Sequence, residues 1–386
     1  MSDYVPTSSE AKLIARAEEF ARRVIAPNAA LWEAERKSLP RPVIQEWAAL
    51  GLNALQVSEA RGGGGASFHC KLRVAEAMAA HCFASAFALN NMQGSVTRME
   101  REGAPAQIER YLPPLMSGAI ICAPSLTEPG AGSDLGAITT RATKMSGGWV
   151  LDGEKAWITN GTIADQLILY AQTDPPAGLK GIASFIVDLH APGVERLPAE
   201  ILFGGAAIGA SSVRMTGLHV PDDALFAPPG EAFRRALAGI TGARIHVAAM
   251  ICASVKNALQ IAVRYGGTRH SNGKPLLDHQ GLRWSLADVA THLAAAEALV
   301  SRAAVLFEAG TDAQIEAAFA KKFSVEMAQA GVAACMQAMG AAGLRAQYPL
   351  GRHLAASRIA AYVDGTTEIQ NERIGSALMR RYGQSA

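Results

Sequence analysis

Strand-like sequence is confined to the middle of this 386-residue chain, and helix-like sequence lies on both sides of it. Up to about Ile120 and again after Gly230, apolar residues recur at three- and four-residue steps, the period of an amphipathic helix. Between these points, short apolar runs alternate with Pro- and Gly-rich connectors, as in β structure. We therefore expect an α+β multidomain chain with an N-terminal all-α domain at 1–120, a middle antiparallel β domain at 121–230 and a C-terminal domain like a four-helix bundle at 231–386.

Prolines set the predicted ends of the N-terminal helices. Pro27 is expected to interrupt a first helix that begins near Ser8, because proline lacks an N–H and its ring clashes with the preceding turn. Pro105 is expected to break the last long helical stretch, and Pro113 with Pro114 to close it.

A turn signal lies inside a strand-like run of the middle unit. In Trp149–Ile158 the pair Asp152-Gly153 separates two strand-like halves, which predicts a β-hairpin with its turn at this pair. Further strands are predicted at 166–172, 182–189 and 211–220.

Charge and hydropathy exclude several classes of protein. The formal net charge is +2 and no Lys/Arg run is present, so we expect no nucleic-acid partner. No apolar run approaches the roughly 20 residues that a membrane span needs, so we expect none. The N-terminal sequence carries acids and a helical pattern, which argues against a secretory or transit signal. These features favour a cytoplasmic protein.

Cysteine and histidine usage argues against a metal site. The five cysteines are scattered without a Cys-x-x-Cys pair, so we expect buried free thiols in a reducing compartment. The nine histidines are dispersed and form no His-Glu-x-x-His pattern. We predict no bound metal.

A glycine turn at Gly130-Ala131-Gly132 raises the question of a phosphate loop. A Rossmann fingerprint requires a third glycine that opens a helix, but Leu135 occupies that position and strand-like sequence follows. The Rossmann interpretation is therefore rejected. The turn either presents backbone N–H groups to a phosphate or a ring edge, or is an ordinary tight turn.

An acid precedes the last predicted helix, in Asp364-Gly365-Thr366-Thr367. Asp364 or a threonine can cap the free N–H groups of that helix. Alternatively, Asp364 is a general base held on a loop that Gly365 makes flexible. The segment alone is compatible with both interpretations.

Taken together, five motifs in order resemble the acyl-CoA dehydrogenase family over nearly the whole chain. They are Leu126–Asp134 (LTEPGAGSD), Trp157–Gly161 (WITNG), Arg269–Lys274 (RHSNGK) with His279-Gln280, Gln337–Gly343, and Asp364–Gln370 (DGTTEIQ). The resemblance implies the same three-domain architecture and bound FAD.

The resemblance also implies roles for particular residues. Thr127 and Thr159 match positions that hydrogen-bond the isoalloxazine ring, where negative charge builds during reduction, and Trp157 matches one packed beside it. Ser133 matches a contact to the pantetheine or phosphate part of the bound ligands. The positions that hold the FAD pyrophosphate and adenosine, in part across a subunit interface, are matched by Arg269, Gln280, Gln337, Ala341, Thr366 and Glu368.

The implied reaction removes the α-proton of an acyl-CoA while the β-hydrogen leaves as hydride to the flavin, giving a 2,3-enoyl-CoA. The resemblance assigns the base to Asp364 and places Arg244 and Gly365, with Ser133, at the substrate. It further implies a homotetramer and an electron-transferring flavoprotein as electron acceptor.

Two departures from the family pattern affect the predicted site. Most family members carry Glu where this chain has Asp364, and the family's second location for the base is occupied here by Ala243. Asn272 stands where an aromatic residue is usual, and it forms a turn signal with Gly273. The segment 203–212 also lacks an Arg often seen there.

Three explanations for Asp364 remain open. In the first, the Asp364 loop and the substrate lie closer to each other, so that the shorter acid works on an unusual acyl chain. Alternatively, the acid serves a reductase, lyase or desulfinase-type reaction, or acyl groups on a carrier protein. The third possibility is a catalytically silent FAD-binding subunit of a mixed oligomer.

Overall fold

The computed structural model describes residues 4–383, so the outer ends of the predicted first and third domains, 1–3 and 384–386, lie outside the described residues. The predicted order of helices, sheet and helices is confirmed. The helices are α1 Ser8–Phe20, α2 Ala26–Ala34, α3 Arg41–Ala49, α4 Phe68–Ala79, α5 Phe83–Glu102, α6 Pro105–Met116, α7 Ala232–Thr268, α8 Gln280–Glu308, α9 Gln314–Met339, α10 Leu350–Tyr362 and α11 Thr367–Tyr382. The strands are β1 Cys122–Ser125, β2 Arg141–Met145, β3 Gly148–Ile158, β4 Gln166–Gln172, β5 Ile182–Asp188, β6 Val194–Ala199, β7 Ser211–Pro221, β8 Leu225–Ala227, β9 His270–Ser271 and β10 Lys274–Pro275.

Two predicted proline breaks are wrong. A π-helical turn at Ala21–Ile25 joins α1 to α2, and Pro27 lies in the first turn of α2, where a missing N–H costs little. Pro113 and Pro114 lie inside α6, which ends only at Met116. Pro105, in contrast, begins α6 as its first residue, the helix position that proline tolerates best.

The middle unit is a mainly antiparallel sheet with strand order β6-β7-β3-β2-β4-β5-β8, and β1 pairs in parallel with β4. The strands predicted at 166–172, 182–189 and 211–220 correspond to β4, β5 and β7. Buried and exposed residues do not alternate in β4 and β5, because these two strands are covered on both faces.

The hairpin predicted at Asp152-Gly153 is wrong, because β3 runs unbroken from Gly148 to Ile158. The turn lies earlier, between β2 and β3, and Gly153 marks a bulge in the pairing of β3 with β7. Gly153 has φ +142°, and a Cβ there would lie 2.7 Å from Cα of Thr140. The glycine therefore serves a close approach of two backbones rather than a turn.

The C-terminal helices form a bundle in which α9 packs against α7, α8, α10 and α11, and α4 and α5 pack on α7. Windows of 18 residues in α7 and α8 have mean hydropathies of 1.5 and 1.3, long and apolar enough to cross a membrane. The α7 window is 67% buried inside the protein and the α8 window 33%. Packing in the bundle accounts for the hydropathy of α7, and the absence of a membrane span stays a prediction.

All five cysteines are buried as free thiols. Within residues 4–383, no group of three or more His, Cys, Asp or Glu side chains has the geometry to hold a metal ion.

Candidate active site

A buried ion pair joins the loop after β1 to the end of β3 in the middle unit. Nζ of Lys155, near the end of β3, lies 2.8 Å from Oε1 of Glu128 in the loop after β1, and both side chains are buried. Lys155 also donates to the carbonyl of Leu126 at 3.1 Å, and the N–H of Ala156 donates to the carbonyl of Thr127 at 2.9 Å. The pair therefore sets the loop that carries Thr127 against the end of β3.

Glu128 is held as a carboxylate. Burial by itself would raise its pKa, but the Lys155 ammonium and hydrogen bonds from Thr139 and Thr140 lower it to about 2. Burial lowers the pKa of Lys155 to about 8, although Glu128 opposes this shift. The charges compensate each other, so breaking the pair would leave one buried and unpaired.

The end of β3 turns sharply at Trp157 and presents Thr159. Trp157 and Asn160 have φ +57° and +63°, and Trp157 is 56% exposed. A left-handed conformation is unusual for a bulky residue and is typical of functional sites. Nδ2 of Asn160 donates to the carbonyl of Ala88 at 3.0 Å, which ties the loop to α5.

The hydroxyl groups at the ends of β1 and β3 fit a flavin. Thr127 and Thr159 are half-buried, and the hydroxyl of Ser125, two residues before Thr127, is buried without a hydrogen-bond partner among the described residues. A Cβ added at Gly130 or Gly132 would meet open space. A hydroxyl without a protein partner is available to the polar edge of a bound ring.

The other candidate segment is the loop between α10 and α11. Asp364 and Gly365 have φ +54° and +96°, and Thr366 caps α11 by accepting from the N–H of Ile369. The threonine, not Asp364, is therefore the cap. Asp364 is left half-buried with a strained backbone, as expected of a group held for chemistry.

Two cationic side chains donate hydrogen bonds to the backbone carbonyls of this loop. Nε of Arg244 donates to the carbonyl of Asp364 at 3.0 Å, and Nζ of Lys321 donates to the carbonyls of Val363 and Gly365. Burial raises the pKa of Asp364 above its ordinary value, and the charges of Lys321 and Arg244 partly oppose this shift. A carboxyl with a raised pKa is suited to accept a proton.

Comparison with known proteins assigns the chain to a family. Three domain descriptions match successive segments: "Acyl-CoA dehydrogenase, N-terminal domain" at 7–119, "middle domain" at 123–217 and "C-terminal domain" at 230–379. An acyl-CoA dehydrogenase of Bacillus subtilis is 33% identical over 94% of this chain and 95% of its own. The chain belongs to the acyl-CoA dehydrogenase family.

Other members of the acyl-CoA dehydrogenase family carry different names. The acryloyl-CoA reductase (NADH) of Anaerotignum propionicum is 32% identical over 98% of this chain and 96% of its own. The solved structure of butyryl-CoA dehydrogenase from Megasphaera elsdenii superposes with a TM-score of 0.93 at 30% identity, covering 98% of this chain and all of that one. The family therefore includes both dehydrogenases and reductases at similar distance from this chain.

Several residues that the acyl-CoA dehydrogenase motifs single out lie on the surface of the single chain. The exposed ones are Ser133, Arg269, Gln280, Gln337, Ala341 and Glu368. Arg269 precedes the β9–β10 hairpin, whose turn is Asn272-Gly273 with φ +50° and +78°. The roles of these residues, and of Thr366 at the cap, stay predictions.

Sequence reasoning missed Lys321 and the Glu128–Lys155 pair. Lys321 lies four residues after Ala317 and three before Ser324, both fully buried, so it falls on the buried face of α9. The sequence signal for its burial was a lysine at the three- and four-residue spacing of the buried residues of α9. For the pair, no pattern in one sequence connects an acid after β1 with a base near the end of β3.

Proposed function

We propose that this protein is an FAD-dependent acyl-CoA dehydrogenase with Asp364 as its base. The observation that carries the proposal is the Asp364 loop. Asp364 is half-buried, its backbone is left-handed, and burial raises the pKa of its carboxyl. The buried cations Arg244 and Lys321 bind the carbonyls of this loop, in a chain that belongs to this family. Membership of the family supports an acyl-CoA thioester as substrate. The length of the acyl chain stays open.

In the proposed reaction, Asp364 takes the α-proton of the thioester and two hydrogens leave the substrate in all. Bound FAD would supply the acceptor for the β-hydrogen and its electron pair, and the substrate would be left with a Cα=Cβ double bond. Thr127 and Thr159 would hold the cofactor ring with their hydroxyls, and Trp157 would pack beside it. Gly365 allows the loop to place Asp364 at the α-carbon, and Arg244 holds the carbonyl of Asp364 in place.

The shorter side chain of Asp364 requires a close approach. Aspartate is one C–C bond, about 1.5 Å, shorter than glutamate, and an error of about 1 Å in a catalytic group costs about 100-fold in rate. Three carbonyls of the loop, those of Val363, Asp364 and Gly365, are tied to buried side chains. We infer that this anchoring places the acid nearer the substrate, the first of the three explanations above.

The proposal includes an assembly and a partner. Arg269, Gln337 and Ala341 are exposed in the single chain, and a second copy placed over them would complete an FAD site across the interface. We propose a homotetramer in the cytoplasm, with an electron-transferring flavoprotein as electron acceptor. Five buried free thiols are compatible with a reducing compartment.

The decisive experiment is anaerobic. The FAD-loaded protein is mixed with straight, branched and cyclic saturated acyl-CoAs, and the visible flavin absorbance is followed. Bleaching by one class supports dehydrogenation and identifies the substrate class. No bleaching by any thioester, with FAD firmly bound, contradicts the proposal.

A reductase is the second candidate, because a relative of 32% identity is named a reductase. In that case, Asp364 in its protonated form would return a proton to the α-carbon. The test is to reduce the bound flavin chemically and add 2,3-enoyl-CoAs. Rapid reoxidation by an enoyl-CoA, without bleaching by the saturated partner, would favour the reductase.

A further inference from the structure

Lys321 is a buried lysine beside the candidate active site. It lies in α9 and is 1% exposed, whereas its neighbour Lys322 is 30% exposed and pairs with Glu326. Burying an ammonium group is costly unless donors and charges compensate it. The position of Lys321 therefore calls for a reason beyond packing.

The partners of Lys321 are the two carbonyls that flank the proposed base. Its Nζ donates to the carbonyl of Val363 and to that of Gly365. Nε2 of Gln370 also donates to the carbonyl of Gly365, at 2.9 Å. Nε of Arg244 donates to the carbonyl of Asp364, which lies between the other two in sequence. Among the described residues, no backbone N–H donates to any of these three carbonyls. These three carbonyls are therefore held by side chains.

A neutral amide would satisfy the same carbonyls at a lower cost of burial, so the charge of Lys321 needs its own explanation. The charged groups around it are Asp364, which favours the ammonium, and Arg244, which disfavours it. Arg373 in turn lies near Arg244. Burial lowers the pKa of Lys321 to about 8, and the carboxyl of Asp364 limits this shift. The carboxyl of Asp364 is the only group in this set that the ammonium stabilises.

We propose that Lys321 is the positioning residue of the base: it fixes the carbonyls on both sides of Asp364 and places a positive charge near the Asp364 carboxyl. The inference rests on the proposed role of Asp364. Clamping both flanking carbonyls holds Asp364 and Gly365 in their left-handed conformations, which the free loop would leave. The positive charge offsets part of the effect of burial on the carboxyl.

A purely structural role makes a different prediction. If Lys321 only satisfied carbonyls at the end of α10, its loss would lower stability and FAD content together and would leave the pH dependence of the reaction unchanged. As a positioning residue, Lys321 acts on the rate of proton abstraction and on the pH at which the base titrates.

The test uses FAD-loaded Lys321→Met, with Lys321→Gln as a milder variant in case Met prevents folding. Lys322→Met is the matched control, since it removes a neighbouring lysine that is partly exposed and pairs with Glu326. We expect Lys321→Met to slow anaerobic flavin bleaching at saturating acyl-CoA about 100-fold, with ligand affinity and FAD content within about threefold of wild type. The acid limb of the pH profile moves to higher pH, because the carboxyl loses a stabilising cation. Lys321→Arg, which keeps the charge, leaves that limb in place.

A second readout does not depend on turnover. Amide hydrogen exchange in the peptide 361–370 is expected to be about tenfold faster in Lys321→Met and Lys321→Gln, and unchanged in Lys322→Met. Unchanged exchange, or a bleaching rate within threefold of wild type with an unmoved acid limb, overturns the proposal. If wild type itself bleaches with no thioester, the proposed function fails, and the exchange measurement still decides whether Lys321 holds the loop.

Discussion

Asp364 combines three unusual properties in one residue: a left-handed backbone, partial burial and a carboxyl whose pKa is raised. Each is costly to stability, and the proposed role of Asp364 in proton abstraction would explain each. Strain holds the acid in one place, and burial makes its carboxylate a better base. The neighbouring Thr366 performs the capping that a purely structural Asp364 would have performed.

Replacing Asp364 by Asn tests this role directly. Asp364→Asn is nearly isosteric and uncharged, so it should retain FAD and ligand binding. Exchange of the substrate α-hydrogen with D₂O, measured by mass spectrometry, should slow about 10²–10⁴-fold. Asp288→Asn, an exposed position on α8, serves as control. Undiminished exchange in Asp364→Asn would remove this residue from the mechanism.

The pH dependence of the reaction has a predicted sign. Because burial raises the pKa of Asp364, the carboxylate is lost at a higher pH than for an ordinary aspartate of pKa 3.8. The rate constant for flavin bleaching should therefore rise with pH along a limb that lies above 3.8. Stopped-flow rates across a pH series measure it. A limb at or below the ordinary value would contradict the assigned environment.

At the scale of elements, the site depends on how β1 and β3 end. Both run into loops that carry threonines, and the Glu128–Lys155 pair sets the two loops side by side. The bulge at Gly153 occurs in the strand that contains Trp157 and ends just before Thr159. Bulges of this kind redirect the residues that follow them.

Breaking the ion pair should be worse than removing it. Glu128→Gln leaves the Lys155 ammonium buried and unpaired, at a cost of about 3–5 kcal/mol. The double variant Glu128→Gln/Lys155→Met should recover part of the stability, as read from thermal unfolding and flavin content.

The ion pair also predicts acid sensitivity. The folded pKa of Glu128 is about 2, below its ordinary value of 4.5, so its stabilisation is complete above 4.5 and is lost as pH falls towards 2. The double variant should lack this component of acid destabilisation. An equal loss of stability in wild type and the double variant as pH falls from 4.5 towards 2 would argue against the pair.

The bulge has its own test. Gly153→Ala places a Cβ 2.7 Å from Cα of Thr140, which adds about 1–3 kcal/mol of overpacking to the backbone strain. Gly147→Ala, in the β2–β3 turn at φ +78° with open space around it, adds backbone strain alone. Thermal unfolding should therefore show a lower midpoint for Gly153→Ala than for Gly147→Ala. Equal midpoints would mean that β3 relaxes without cost.

At the scale of the whole molecule, the C-terminal helices leave large apolar side chains uncovered. Trp284 of α8 is 62% exposed, Leu344 76%, and Met379 of α11 70%. Large apolar side chains left exposed to this extent are typical of an interface. Arg269 and Gln337, two predicted FAD contacts, are exposed in the same unit.

We expect the chain to assemble through this unit. Light scattering should give four copies of the 40.4 kDa chain for wild type. Trp284→Glu should give smaller species that bind FAD more weakly, because a charge opposes burial in the interface. Met145→Glu, at an apolar side chain 51% exposed in β2, is the control. An unchanged mass for Trp284→Glu would place the interface elsewhere.

Hydrophobic periodicity was sufficient to predict the helix–sheet–helix order and strands β4, β5 and β7, since burial of one face is written into local sequence. The motifs around Thr127, Thr159 and Asp364 were likewise local and recognisable. Local rules failed at Pro27, at Pro113-Pro114 and at Gly153. There, a π-turn, a helix end and a neighbouring backbone decided the outcome.

Only the tertiary structure brought together residues far apart in sequence. Lys321 reaches the carbonyls of Val363 and Gly365 from another helix, and Lys155 meets Glu128 across two loops. The physical reason is that the ionisation of a buried group depends on the charges and donors around it in space. The sequence therefore identified Asp364 as an acid. The surroundings that suit its carboxyl to the proposed role of base arise from the packing of α7, α9 and α10.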